Sequence, residues 1–467
     1  MFTKSTPLRN LKEKCGIFGI YSNKKSLDLT SLLYYGLFSL QHRGQEGTGV
    51  VLSNFHKIEQ YRDIGSVGEV FTQDILNDLK RMKPQIGIGH VRYSTAGSKG
   101  VENVQPLLTN LEGESLAVAH NGNLIHYESI KQKLEKKDHR FYCSSDTETI
   151  LQLIAYNLST NNLVEALKKS LKQLTGSFSL LIMTKDKLIG ARDPYGVRPL
   201  CLAKLKNNGG YVLSSESCAT DVVGATFIRD ILPGEIVIID QSGIKSIKYV
   251  QNPKQHTCIF EYVYFARPDS TIDGINCYLS RIAQGKQLYA EHPLKADLVI
   301  CAPDSGTHAA SGYANASGIE YGVGLIKNRY ISRTFIKPSQ ELREQAVYIK
   351  LNPLKVNINN KNIILIDDSI VRGTTSHFLV KALKNAGAKK VYLLSASPMI
   401  INPCFLGIDT PDRKHLLAAN NKIEQMRKMI GCDYLGFLSL PGLLKCCGNK
   451  DKFCTGCFNG KYPIEYN

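Results

Sequence analysis

The chain has 467 residues, 43% hydrophobic and 21% charged, ordinary proportions for a globular protein of two or three domains. Its net charge is +17, but the 58 basic residues are spread out with no run of five, which favours an anionic small-molecule substrate over nucleic acid. No apolar run reaches membrane-span length and residues 1–14 are too polar for a secretory signal, so a cytoplasmic protein without membrane attachment is expected. The cysteine count, 13, is odd, which argues against a disulfide framework and for thiols that are buried, catalytic or metal-binding.

Cys15-Gly-Ile-Phe-Gly-Ile20 opens an apolar strand after a charged leader; a merely structural strand cysteine would look the same. Gln41-His-Arg-Gly-Gln-Glu-Gly-Thr-Gly-Val50 is glycine-rich and polar ahead of a further β-run. Gly87-Ile-Gly-His-Val-Arg-Tyr-Ser-Thr95 puts Arg92 near a strand end. Ala119-His-Asn-Gly-Asn-Leu124 predicts a tight turn at Asn121 and Gly122. Ser144-Ser-Asp-Thr-Glu148 has the pattern of a helix N-terminus and predicts a helix over 149–157. Strands and turns continue through Leu232-Pro-Gly-Glu-Ile-Val-Ile-Ile239, and the polar stretch 249–255 is the expected domain boundary.

These motifs, in this order, resemble the class II glutamine amidotransferases, N-terminal-nucleophile (Ntn) hydrolases folded as a four-layer αββα sandwich. The resemblance implies that Cys15 is the nucleophile and that its own α-amino group is the base. That requires removal of residues 1–14 as a propeptide, leaving a glutaminase domain over 15–250. It further implies that Arg92 holds the α-carboxylate of glutamine and Asp146 its α-amino group, while Asn121 and the Gly122 N–H form an oxyanion hole. Taken singly, Arg92 reads equally well as a surface ion pair and Asp146 as a helix cap.

The second half, 256–467, contains Val299-Ile-Cys-Ala-Pro-Asp-Ser-Gly-Thr307, a strand running into a Pro/Gly turn. Four basic side chains, Lys327, Arg329, Arg333 and Lys337, follow among polar residues, with Arg343 beyond; composition alone allows a plain exposed loop. Asn362-Ile-Ile-Leu-Ile-Asp-Asp-Ser-Ile-Val-Arg-Gly-Thr-Thr-Ser376 then reads as a buried strand, an acid pair, a small-residue turn and a helix start. Backbone N–H groups at such a turn cradle a phosphate, and the acid pair suits ribose hydroxyls and hydrated Mg²⁺.

This run resembles the phosphoribosyl pyrophosphate (PRPP) motif of type I phosphoribosyltransferases. By that resemblance Asp367, Asp368, Gly373, Thr374, Thr375 and Ser376 bind PRPP, and Ser305 joins Asp367 and Asp368 around Mg²⁺. The basic segment from Lys327 is the loop that closes over the substrate, excluding water from a reactive sugar cation.

A glutaminase followed by a phosphoribosyltransferase, an α+β unit followed by an α/β one, resembles the amidophosphoribosyltransferase family from about Cys15 to Tyr462. The implied reaction is glutamine + PRPP + water → 5-phosphoribosylamine + glutamate + pyrophosphate, the opening step of purine (IMP) biosynthesis. Purine nucleotides as feedback inhibitors and a homotetramer are implied with it. Glucosamine-6-phosphate synthase, which shares the first half, lacks the Asp367–Gly373 pattern. The other reading is a catalytically silent PRPP-sensing regulator, for which an intact glutaminase set would have no use.

Cys454-Thr-Gly-Cys457 is a CxxC that can supply two thiolates to one metal centre, and spacing alone does not name further ligands. The resemblance does: one branch of the family carries a [4Fe-4S] cluster on cysteines in the contexts of Cys258, Cys404, Cys454 and Cys457. Zinc, or thiols without a metal, are the competing readings, and Cys446 and Cys447 are extra candidate ligands.

Overall fold

The computed structural model describes residues 15–93, 100–111, 114–328, 351–410, 412–448 and 451–465. The leader 1–14 and the basic residues Arg329, Arg333, Lys337 and Arg343 lie outside these.

Two antiparallel sheets organise residues 16–248. The first runs Ala225–Asp230, Cys201–Leu205, Gly210–Ser214, Gly16–Tyr21, Ile86–Arg92, Gly47–Ser53, Ile58–Asp63. The second runs Gly243–Lys248, Glu235–Asp240, Leu188–Arg192, Gly176–Met183, Glu114–Leu124, Leu107–Leu111. Side chains alternate across each strand, and in the central strands both faces are apolar. Ile17 and Tyr21 pack with Ile88, Ala119, Leu181 and Met183 between the sheets. Phe18 and Ile20 point the other way, onto Leu29, Leu33 and Leu37 of helix Leu29–Ser39. On the far side, Leu116, Val118, Leu180 and Ile182 pack on Ile150, Ile154 and Leu167 of helices Asp146–Leu158 and Leu163–Leu171. Strands that carry apolar residues on both faces must be covered on both, and the αββα sandwich follows.

Two local expectations change. Asn121 and Gly122 lie within strand Glu114–Leu124, paired with Ser179 and Phe178, and not in a turn. A Cβ on Gly122 would sit 2.0 Å from the Ser177 carbonyl, so this glycine permits close strand approach. The helix expected over 149–157 begins earlier, at Asp146, because the Ser145 hydroxyl accepts the Thr147 N–H as its cap.

The rest of the chain is built on a four-stranded parallel sheet, Leu298–Cys301, Asn362–Asp367, Lys390–Ser395, Tyr434–Phe437. Ile364, Ile366 and Leu394 face helices Cys277–Glu291 and Thr307–Ser317; Ile363, Leu365 and Leu393 face helices Thr374–Asn385 and Ile423–Ile430. Loops leaving the C-terminal ends of these strands converge, the usual place for a ligand in an open α/β sheet. A two-residue parallel pair joins Thr257–Cys258 to Phe453–Cys454.

Candidate active sites

The register Gly16↔Val91 sets Cys15 beside Arg92, which ends the neighbouring strand. The Cys15 thiol lies 3.7 Å from the Tyr93 carbonyl. Arg92 is buried, 5% exposed. In the facing sheet Asn121 is fully buried, and neither its Nδ2 nor its Oδ1 has a hydrogen-bond partner among the described residues. A buried amide left unpaired costs free energy unless a ligand meets it. Asp146 opens its helix: its Oδ2 accepts the Leu124 N–H at 2.9 Å, and its Oδ1 is 3.6 Å from His120 Nδ1. Burial, together with the charges of Arg92 and His120, pushes His90 down to about 3, so this imidazole is neutral.

The second site is a cleft of about 610 Å³ over the parallel sheet. Ser305, Lys327, Asp367, Asp368, Gly373, Thr374, Thr375 and Ser376 all line it. Lys327 Nζ is 2.6 Å from Asp304 Oδ2. Gly373 takes φ +74° immediately before helix Thr374–Asn385, whose first residues Thr374, Thr375 and Ser376 line the cleft. Burial, with its neighbour's charge, raises Asp367 well above the ordinary carboxyl range; burial raises Asp368 despite hydrogen bonds from Ser305 and Ser369. Two carboxyls and a hydroxyl make an all-oxygen donor set suited to a hard divalent cation.

His42, Arg267, Arg281 and His308 also line this cleft and were not anticipated. The Gln41-His-Arg-Gly segment could have drawn notice for its polarity, but nothing in it shows which site it serves. His42 belongs to the first half, so both halves build the cleft wall. Its neighbour Arg43 donates from Nε to the Cys15 carbonyl at 3.3 Å.

The four candidate cluster cysteines come together from three segments. Cys258 and Cys454 are register partners, and the Cys457 carbonyl accepts the N–H groups of Ile401 and Asn402 beside Cys404. Burial raises the Cys258 thiol to about 11 and raises Cys454 and Cys457 as well, the latter two further raised by the neighbouring thiols. All four are free of disulfides. Arg198 reaches into this region: its Nη2 donates to the Leu406 carbonyl at 3.0 Å, and its Nε has no partner among the described residues. Among the described residues no group of three or more His, Cys, Asp or Glu is arranged to hold a single metal ion. Cys447 lies elsewhere, 3.4 Å from the Ser280 hydroxyl.

An Ntn-type αββα sandwich carrying a strand-end cysteine, joined to a phosphoribosyltransferase-type parallel sheet with an acid pair and a glycine turn over its cleft, is the architecture of a glutamine-dependent phosphoribosyl-transferring enzyme. A family model described as a glutamine amidotransferase domain matches residues 90–221. The chain is 48% identical to the amidophosphoribosyltransferase of Methanocaldococcus jannaschii, over 97% of this chain and 98% of that one. It is 46% identical to the Bacillus subtilis amidophosphoribosyltransferase, over 98% and 96%. The solved B. subtilis glutamine PRPP amidotransferase, complexed with ADP and GMP, superposes with a TM-score of 0.89 at 46% identity, covering 97% of this chain and 98% of that one. The chain belongs to the amidophosphoribosyltransferase family. It is an enzyme that makes 5-phosphoribosylamine from PRPP and glutamine, the first step of purine biosynthesis, and the silent-regulator reading is set aside. Among the described residues no helix is long and apolar enough to cross a membrane.

Proposed function

We propose the following division of labour. Cys15, freed at its α-amine by removal of residues 1–14, attacks the glutamine side-chain amide while that amine accepts the thiol proton. Arg92 and Asp146 bind the α-carboxylate and α-amino group of glutamine. The Asn121 amide and Gly122 N–H stabilise the oxyanion; the unpaired, fully buried Asn121 supports this role. Ammonia leaves with the proton returned from the Cys15 α-amine, and water hydrolyses the Cys15 thioester to glutamate; the ammonia attacks C1 of PRPP and pyrophosphate leaves.

Gly373, Thr374, Thr375 and Ser376 hold the 5′-phosphate, and Asp367 and Asp368 hold the ribose hydroxyls. Lys327 is a phosphate partner of PRPP, as are Arg329, Arg333 and Lys337, which lie outside the described residues. Ser305, Asp367 and Asp368 would hold Mg²⁺, which supplies charge neutralisation for the leaving group. Cys258, Cys404, Cys454 and Cys457 would hold a [4Fe-4S] cluster, a structural or redox-sensing group whose ligands stand further apart than those of a single ion.

The observation that carries the two-site reading is the neighbouring pair His42 and Arg43, one lining the cleft and the other bound to the Cys15 carbonyl. Glutamine labelled with ¹⁵N at the amide tests it. With PRPP present, glutamate and pyrophosphate should appear in equal amounts and the label in the aminosugar. Glutamate without pyrophosphate would sink the reading. We further propose purine nucleotide inhibition, supported by the ADP and GMP of the B. subtilis enzyme, together with a homotetrameric, cytoplasmic protein.

A further inference from the structure

Arg43 ends a short 3₁₀ turn, Gln41–Arg43, and is 1% exposed. A buried guanidinium must pair all its donors and balance its charge. One donor goes to the Cys15 carbonyl. Three more go to two carboxylates from different halves of the chain. Nη1 meets Glu216 Oε1 and also Glu261 Oε2, the latter at 3.0 Å; Nη2 meets Glu261 Oε1 at 2.8 Å. Glu261 opens the helical turn Glu261–Phe265 in the second half. Its Oε1 also accepts from Arg198 Nη1 at 3.1 Å.

Arg43, Arg198, Glu216 and Glu261 are each 1% exposed or less, two positive charges against two negative. Glu216 is further tied by His42 Nε2 at 2.7 Å, the Ser270 hydroxyl at 2.6 Å and the Arg267 N–H at 2.9 Å. Burial alone would raise the Glu216 carboxyl, but the charges of His42 and Arg43 outweigh it and hold it far below the usual range. The Glu216 carboxylate is therefore ionised, and the hydrogen-bond network is complete only when the second half supplies Glu261.

We propose that Glu261, a residue of the phosphoribosyltransferase half, is a positioning residue for the glutaminase reaction, holding the Cys15–Gly16 peptide in place through Arg43. The inference rests on Cys15 being the nucleophile. Its physical basis is that the bidentate clamp on Arg43 fixes the guanidinium plane. That plane aims Nε at the Cys15 carbonyl, and the carbonyl sets the direction of the thiol and α-amine on the adjoining Cα. Arg92 and Asp146 sit on other elements, so glutamine binding does not pass through Glu261.

The test is Glu261→Gln in the full-length enzyme. This change leaves one acceptor and turns an amide N–H₂ against the Arg43 donors. The kcat for glutamine hydrolysis should fall on the order of 10²-fold, as expected for a misplaced reacting group, with the glutamine KM unchanged. Synthesis from PRPP and external ammonia should be retained. Glu261→Asp keeps the charge while withdrawing the carboxylate by one methylene; it should show a smaller loss, again in kcat, and keeps the test in force if the Gln variant does not fold. Equal loss of the glutamine- and ammonia-driven reactions, a change confined to KM, or wild-type hydrolysis by a folded Gln variant would each overturn the proposal. Failure of the underlying reading shows separately, as glutamine hydrolysis surviving in Cys15→Ala.

Discussion

Asp367 Oδ1 accepts the backbone N–H of Asp368 at 2.9 Å, and the two carboxyls face one cleft with each residue only 8% exposed. Burial raises both, and the Asp368 charge raises Asp367 further. A carboxyl whose folded value is raised stabilises the fold fully only below its unfolded value. That stability is lost as pH rises through the folded value. Asp367→Asn should therefore melt higher than wild type at pH 8 without ligand, and the gap should shrink towards pH 4. The same variant should bind PRPP with Mg²⁺ at least tenfold more weakly. Calorimetric melts and isothermal titration give both numbers; a variant that melts lower at pH 8, or binds normally, contradicts this account.

Cys15→Ala should lose glutamine-dependent synthesis and keep synthesis from high external ammonia, since the two reactions occupy different sites. Intact mass of the active wild type should lack residues 1–14, and that of the Ala variant should retain them. A fully active enzyme that still carries Met1 would remove the α-amine from its proposed role as base.

Gly373→Ala tests the phosphate turn. The glycine sits at φ +74°, and an added Cβ would lie 2.6 Å from Leu417 Cδ2. Strain of this kind costs about 1–3 kcal/mol. Denaturant melts should show that loss, and PRPP affinity should fall as the turn is displaced while glutamine hydrolysis continues. Normal PRPP binding would detach the turn from the 5′-phosphate.

Cys454→Ser tests the four-thiol group. Anaerobically purified wild type should be brown, with about four irons and four acid-labile sulfides per chain. The Ser variant should lose the colour and melt lower, because the group joins the C-terminal segment to the core. Stoichiometric zinc without sulfide would favour the simpler metal.

Features written in short stretches of chain were legible from sequence. The Asn362–Ser376 run declared strand, acid pair and turn at once, because each depends on neighbours a few residues away. The Cys15 strand and the Ser145 cap were legible for the same reason, although the helix starts three residues before its expected position. Asn121 and Gly122 misled, because a glycine needed for close strand approach looks like a turn glycine. The Arg43 network left no trace at all. Its partners stand 173 and 218 residues away, and no periodicity or spacing marks a pairing of that kind.

The pairing of Thr257–Cys258 with Phe453–Cys454 sets the first strand of the second half against its last. Paired strands run about 4.8 Å apart, so the segment that opens that half and one close to its C-terminus are neighbours, and its path comes back nearly to its start like a ring. A ring has no privileged starting point. A circular permutant of the second half, with these ends joined by a short linker and a new opening cut in the 329–350 segment, should keep every strand pairing of the parallel sheet. Equally, a single nick in that segment leaves two pieces that hold each other through the sheet on one side and this small pair on the other.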